Sequence, residues 1–262
     1  MGKKTTRELL GPFTSDYFVD LRSKYLGHES PNKILLNIEQ HDKRRYSLYK
    51  NDLVILKLFE HIGIYNKYAV DIGCGINDSG DSNTYLFEYE HGFKRTIIDK
   101  KLNDFISREN AVTLLEKYNT PKEFDVLSID IDGVNFYILN EILKNGYKPN
   151  IVTLEINSHL PPDKDMIIDY DPKFAFFGYL YYGANVLAYT RLMNYFDYSL
   201  IHVCTSNGIY LQNRFIKEVD DLPIEKDLIN NPEAHFIIPD RTWYNPCVED
   251  RVWLESKDII DN

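Results

Sequence analysis

Cysteine is scarce, with Cys74, Cys204 and Cys247 the only three in 262 residues. They are too few and too scattered for a disulfide framework or a cysteine-bound zinc, so a reducing, cytoplasmic setting is the expectation. Long apolar runs are missing too, and none approaches the ~18 residues that a membrane span requires. The N-terminus, Met-Gly-Lys-Lys-Thr-Thr, lacks the apolar core of a secretory signal. It does fit a short acylation pattern, with Thr6 in the last place. Cations are short, at 30 Lys and Arg against 40 Asp and Glu, for a net charge of -10. That balance speaks against nucleic acid as a partner, because such binding draws its affinity from Lys and Arg on phosphates. Aromatics are plentiful: 20 Tyr and 14 Phe in a chain that is 44% hydrophobic. Such a composition suits a filled core plus an aromatic-lined cleft, at a length for one large α/β domain with appendages.

Tyr68-Ala-Val-Asp-Ile-Gly-Cys-Gly75 is the most informative stretch. Apolar residues lead to Asp71 and then a Gly-x-Gly turn at Gly73 and Gly75, the pattern of a buried parallel strand ending in a turn that lets a ligand approach backbone. The next strand candidate, Arg95 to Ile98, ends in Asp99. An acid about 20 residues past a glycine turn is placed to accept hydrogen bonds from ribose hydroxyls. A dinucleotide fingerprint requires a third glycine, but Asp78 stands there and Asp81 follows. Two carboxylates repel a pyrophosphate and tolerate a cation, which favours a sulfonium-bearing ligand over a dinucleotide.

Residues 1–46 read as an N-terminal helical extension, with Phe13, Tyr17, Phe18 and Tyr25 before Pro31. This arm is a candidate dimer interface, making a homodimer one expected assembly. From Ser47 to Ile62 the apolar residues recur at helical spacing and stop before Gly63. A short helix is expected from Ser82 to Glu90, and a weak third strand from Asn103 to Ile106. Ser107 is the expected cap of a helix through Tyr118. Phe124-Asp-Val-Leu-Ser-Ile-Asp-Ile-Asp132 repeats the strand-to-carboxylate pattern and precedes a helix over Phe136 to Leu143. Pro149 to Glu155 repeats it again and runs on to Asn157 and His159. Ligands of open α/β sheets sit at the carboxyl ends of parallel strands. Four such ends carry acids here: Asp71, Asp99, Asp130 with Asp132, and Glu155. Residues 160–177, with Pro161, Pro162 and Pro172, read as a long binding loop or lid. A helix over Asn185 to Tyr195 follows, and then two strands, Tyr198 to Cys204 and Gly208 to Gln212, joined as a hairpin. A methyltransferase-type domain is thus expected over 47–213, with 214–262 an extension packed on it.

These pieces resemble class I S-adenosylmethionine-dependent methyltransferases, and Asp71, Gly73, Gly75 and Asp99 fall on that family's first motifs. Three further stretches, Phe124 to Gly133, Leu154-Glu-Ile-Asn157 with Pro161-Pro162, and Tyr182-Gly-Ala-Asn185, are similar to the FkbM-like sugar O-methyltransferases, as is Asn207-Gly-Ile-Tyr-Leu211. The resemblance covers residues 65–213. It implies a Rossmann-like sheet of about seven strands with an antiparallel last pair. It implies S-adenosyl-L-methionine as cofactor, with Asp130 on it and Ile106 to Asn110, including Asn110 itself, near its adenine. It also implies a sugar or glycan hydroxyl as methyl acceptor.

Macrocin-type sugar methyltransferases are a further likeness. It implies a divalent metal, magnesium or manganese, on Asp130, Asp132 and Glu155. That group places a histidine base three residues past its first acid, and here Asn135 stands three past Asp132. His159 is the substitute candidate. One of Asp130 and Asp132 is expected to face the cofactor while the other holds the turn, and either of them or His159 could serve as base. Glu155 reads equally as a buried acid tied to a helix start. Two other functions fit the same residues: a non-catalytic module on this fold, and a methyltransferase acting on a protein or small metabolite.

Overall fold

The computed structural model describes residues 3–5, 8–9, 46–47, 50–73, 82–99, 102, 104–176, 181–204, 206–220, 222 and 251–260. In chain order the strands are β1 (Lys4–Thr5), β2 (Tyr68–Ile72), β3 (Lys94–Ile98), β4 (Glu123–Ile129), β5 (Lys148–Glu155), β6 (Ile167–Ile168), β7 (Tyr198–Cys204), β8 (Asn207–Gln212) and β9 (Val252–Leu254). The α-helices are α1 (Asn51–Ile62), α2 (Tyr85–His91), α3 (Ala111–Lys117), α4 (Asn135–Lys144), α5 (Val186–Tyr195) and α6 (Lys257–Ile260). A 3-10 helix runs over Asn213–Val219.

Six strands form one mixed sheet in the order β3-β2-β4-β5-β8-β7. β3, β2, β4 and β5 are parallel, while β8 lies antiparallel to both β5 and β7. The near-continuous apolar runs of β2, β4 and β5 follow from burial on both faces. One core cluster joins Leu127, Val152 and Leu154 to α3, α4 and α5. The other joins Ala69, Val126 and Ile151 to α1 and α2. Asp125, fully buried within β4, holds the approach to β2. Its carboxylate accepts from the backbone N–H of Tyr65 at 2.7 Å and Asn66 at 3.0 Å.

Six strands stand where about seven were expected. The missing one is the weak strand at the β3 side: residues 104–107 run without regular structure, and Asn103 lies outside the described residues. Side chains claim the backbone and anchors that a ladder would need. The Asn110 amide accepts from Ser107 N–H at 2.7 Å and donates to the Phe105 carbonyl at 2.8 Å. Asp104 is held by Lys117 at 2.7 Å and by the Tyr118 hydroxyl, which draws the chain onto α3. The helix accordingly begins at Ala111 behind a Ser107–Asn110 turn, rather than on a Ser107 side-chain cap.

A second, three-stranded sheet was not anticipated. β9 pairs antiparallel with β1 on one side and β6 on the other. The expected irregular loop thus contains a strand, and the first described residues form a strand rather than a helix. Glu8 and Leu9 are helical, and residues 10–45 of the expected arm lie outside the described residues, as do 223–250. Trp253 of β9 is 2% exposed and joins the first core cluster, edge-on to Tyr181 at 4.8 Å. No described helix is long and apolar enough to cross a membrane.

Candidate functional site

Parallel pairing brings the carboxyl ends of β2, β3, β4 and β5 to one edge of the sheet, and with them Asp71, Asp99, Asp130 and Glu155. Backbone bonds knit this edge: Gly73 N–H to Ile98 O at 3.0 Å, Asp130 N–H to Ile72 O at 2.9 Å, and Ile156 N–H to Ser206 O at 2.7 Å. The antiparallel β8 starts here, with Asn207 directly opposite Glu155.

Gly73 adopts φ +98, and a Cβ there would lie 1.8 Å from the Asp130 carbonyl oxygen. The neighbouring strand end itself therefore demands this glycine. Gly75, with Cys74, Asp78 and Asp81, lies outside the described residues. Asp71 is fully buried, and its Oδ2 accepts from Ser82 Oγ at 2.8 Å and Thr84 Oγ1 at 2.6 Å. Arg95 stands 3.9 Å from the same oxygen and donates to Ser82 Oγ at 2.9 Å. Asp71 thus moors the chain where it returns from the turn. Nothing in the spacing of Ser82, Thr84 and Arg95 marks them as its partners. Asn83 was also missed: it binds Ser47, Asn51 and Ser128 in a buried polar chain beside Asp71. Asp99 is 6% exposed, directly after β3, and its carbonyl accepts from Leu102 and Asp104 N–H. Ile106 is buried in the core, and Asn110 uses its amide within its own turn.

Carboxylate oxygens of Asp130, Asp132 and Glu155 all lie within 4.8 Å of one another. Asp132 does not turn away to leave one aspartate at the site. Its left-handed backbone, φ +53, belongs to the turn that leads from β4 to α4. Glu155 Oε2 accepts from Asp132 N–H and from Asn135 Nδ2, both at 3.0 Å. The residue standing where a histidine base was sought is therefore a donor to the acid, and Glu155 does tie down the start of α4. Burial, and then the Asp130 and Asp132 charges, hold the Glu155 carboxyl well above the usual carboxylate range.

His159 is 7% exposed, and its ring is not among the groups that converge on this cluster. Burial pushes its imidazole down to about 4. The segment that carries it is knitted to the Tyr182–Asn185 stretch. Asn157 binds the Ala184 carbonyl through its N–H at 2.8 Å and the Tyr182 carbonyl through Nδ2 at 2.9 Å. Asn185 caps α5 at Ala188 N–H and donates to Pro161 O at 2.6 Å. The stretches Leu154–Asn157, Pro161–Pro162 and Tyr182–Asn185 are thus bonded to one another around the end of β5. Buried polar atoms without a partner among the described residues gather nearby: Asp71 Oδ1, Asn135 Oδ1, Ser158 Oγ and Asn207 Oδ1.

Residues 169–176 cross this edge. The Tyr170 hydroxyl donates to Glu109 Oε2 at 2.5 Å and accepts from Arg108 N–H at 3.1 Å, while the Arg108 guanidinium lies 4.4 Å over its ring. That hydroxyl holds the Glu109 carboxyl below the usual carboxylate range. A Cβ on Gly133 would meet Phe174 Cδ1 at 3.0 Å. Comparison with known proteins gives no match: no family model, no curated protein and no solved structure.

Proposed function

We propose that this chain is an S-adenosylmethionine-dependent O-methyltransferase whose acceptor is a hydroxyl of a sugar in a glycan or glycoconjugate, working in the cytoplasm. The observation that carries the reading is the single edge at which parallel strands deliver Gly73, Asp99 and three converging carboxylates, beside a sheet closed by the antiparallel pair β7 and β8. Two features support this cofactor: an acid at the end of β3, Asp99, of the kind that accepts from ribose hydroxyls, and an acidic edge that accommodates a sulfonium and an ammonium. Buried acceptors without partners, Asp71 Oδ1 and Asn135 Oδ1, fit a site that expects further donors. Bound there, S-adenosylmethionine supplies an electrophilic methyl group.

The residues of the chain orient the acceptor and take its proton. Asp130, Asp132 and Glu155 would hold magnesium or manganese through their carboxylate oxygens, and the ion would supply charge that lowers the pKa of an acceptor hydroxyl. Without a metal, Asp130 or Asp132 is the base at the cluster itself, while His159, outside the cluster and pushed down to about 4 by burial, is the weaker base.

Calorimetric titration with S-adenosylmethionine tests the reading. Asp99→Ala, still folded, should lose on the order of 1.5–3 kcal/mol of binding. A wild-type chain that fails to bind the cofactor would instead be a non-catalytic module on this fold. Methyl transfer to a deoxysugar-bearing acceptor, assayed with EDTA and after restoring magnesium, tests the ion. Full activity in chelator removes the metal.

A further inference from the structure

The segment from Asp169 to Phe174 joins two places that are far apart in sequence. At one end Tyr170 grips the turn before α3 through Glu109 and the Arg108 backbone, and its ring lies 4.8 Å from that of Tyr137. At the other, Phe174 rests against Gly133, next to Asp132 of the acid cluster. The segment is braced from behind: Asp169 N–H donates to the Tyr181 hydroxyl at 2.8 Å, which in turn donates to Val252 O at 2.7 Å. Lys3 pairs with Asp169 at 2.5 Å. Both ends of the chain thus hold a strap that the methyltransferase reading by itself does not require.

We infer that Tyr170 is a positioning residue for the cofactor, fixing the 107–110 turn through Glu109 and the Arg108 N–H, and that Phe174 sets the strap against the acceptor end of the same site. The inference rests on the methyltransferase reading, since the 107–110 turn is where the adenine is expected. Two features make the strap specific. A Cβ on Gly133 would meet Phe174 Cδ1 at 3.0 Å, so a side chain there would push the ring aside. The Tyr170 ring and hydroxyl are used together, the ring under Arg108 and the oxygen bridging Glu109 and the Arg108 backbone. A phenylalanine keeps the first and loses the second.

The test measures S-adenosylhomocysteine affinity for the wild type, Tyr170→Phe, Glu109→Gln and the double variant, with amide hydrogen exchange of residues 107–110 followed without ligand. Tyr170→Phe should weaken binding about tenfold, speed exchange at 107–110, and raise the KM for S-adenosylmethionine with little change in kcat. Glu109→Gln, which keeps an acceptor oxygen and the Arg108 N–H bond, should weaken binding less than Tyr170→Phe, and the double variant should come close to Tyr170→Phe alone. Gly133→Ala should weaken binding from the opposite end with Tyr170 intact. Unchanged affinity and exchange in Tyr170→Phe, or additive effects in the double variant, overturn the inference while leaving the methyltransferase reading in place. A wild type that binds no S-adenosylhomocysteine overturns both. Faster exchange in Tyr170→Phe would then show that the link orders the turn for structural reasons alone.

Discussion

Gly73→Ala separates two reasons for a glycine at the end of β2. If the residue is small only so that a ligand can approach, alanine should spare the fold and cost binding. The geometry predicts otherwise. At φ +98 an alanine is strained by about 1–2 kcal/mol before any contact is counted. Its Cβ would also fall 1.8 Å from the Asp130 carbonyl oxygen, 2.6 Å from its carbonyl carbon and 2.6 Å from Ile131 Cγ2. Backbone cannot swing aside as a side-chain tip can, so the ends of β2 and β4 must part. Parting them stretches the 2.9 Å bond from Asp130 N–H to Ile72 O, and the displaced residue 73 is drawn out of line for its 3.0 Å bond to Ile98 O on β3. Each contributes about 1 kcal/mol, and more once left buried and unmade. Together these effects come to about 3–5 kcal/mol, a large share of the stability of an ordinary domain. Urea unfolding followed by circular dichroism measures it. A Gly73→Ala protein within 1 kcal/mol of wild type, with unchanged slope, would refute the steric account and return this glycine to the ligand.

Asp52 is buried at the start of α1 and accepts from Tyr46 N–H at 2.8 Å, yet burial raises its carboxyl from 3.8 to about 6. The folded state therefore binds the extra proton, and the contribution of Asp52 to stability is present below pH 3.8 and lost as pH rises to about 6. Asp52→Asn should flatten unfolding free energy over that window by on the order of 2 kcal/mol; an unchanged difference between pH 4 and pH 7 would count against it. His159 has the opposite sign, since its folded value of about 4 lies below the ordinary 6.5. It contributes stability above pH 6.5 that is lost as pH falls toward 4, and His159→Gln should remove that limb from the pH–stability curve. Trp253→Ala should cost about 3–5 kcal/mol by emptying the contact with Tyr181. It should also loosen β6, read as faster hydrogen exchange at Ile167 and Ile168; a loss below 1 kcal/mol would mean that β9 is not part of the folding unit.

Periodicity and strand-end chemistry carried a good deal of this protein in sequence alone. The apolar runs of β2, β4 and β5 could be read because buried parallel strands leave no polar face. Their placement also put Asp71, Asp99, Asp130 and Glu155 at one edge, since parallel strands end on the same side. The β7–β8 hairpin showed in two strand-like runs separated by turn residues. The rest was decided by contacts between segments distant in sequence, which no local pattern encodes. Asp71 and Arg95 meet at Ser82 only because β2 and β3 pair. Glu155 finds Asp132 N–H and Asn135 across 23 and 20 residues, which turns a sought catalytic spacing into a helix anchor beside a carboxylate cluster. The seventh strand failed because the Asn110 and Asp104 side chains outcompete a ladder at the sheet's edge. Strands as short as Lys4–Thr5 and Ile167–Ile168 have too little length for periodicity, and they exist because Val252–Leu254 supplies both with a partner.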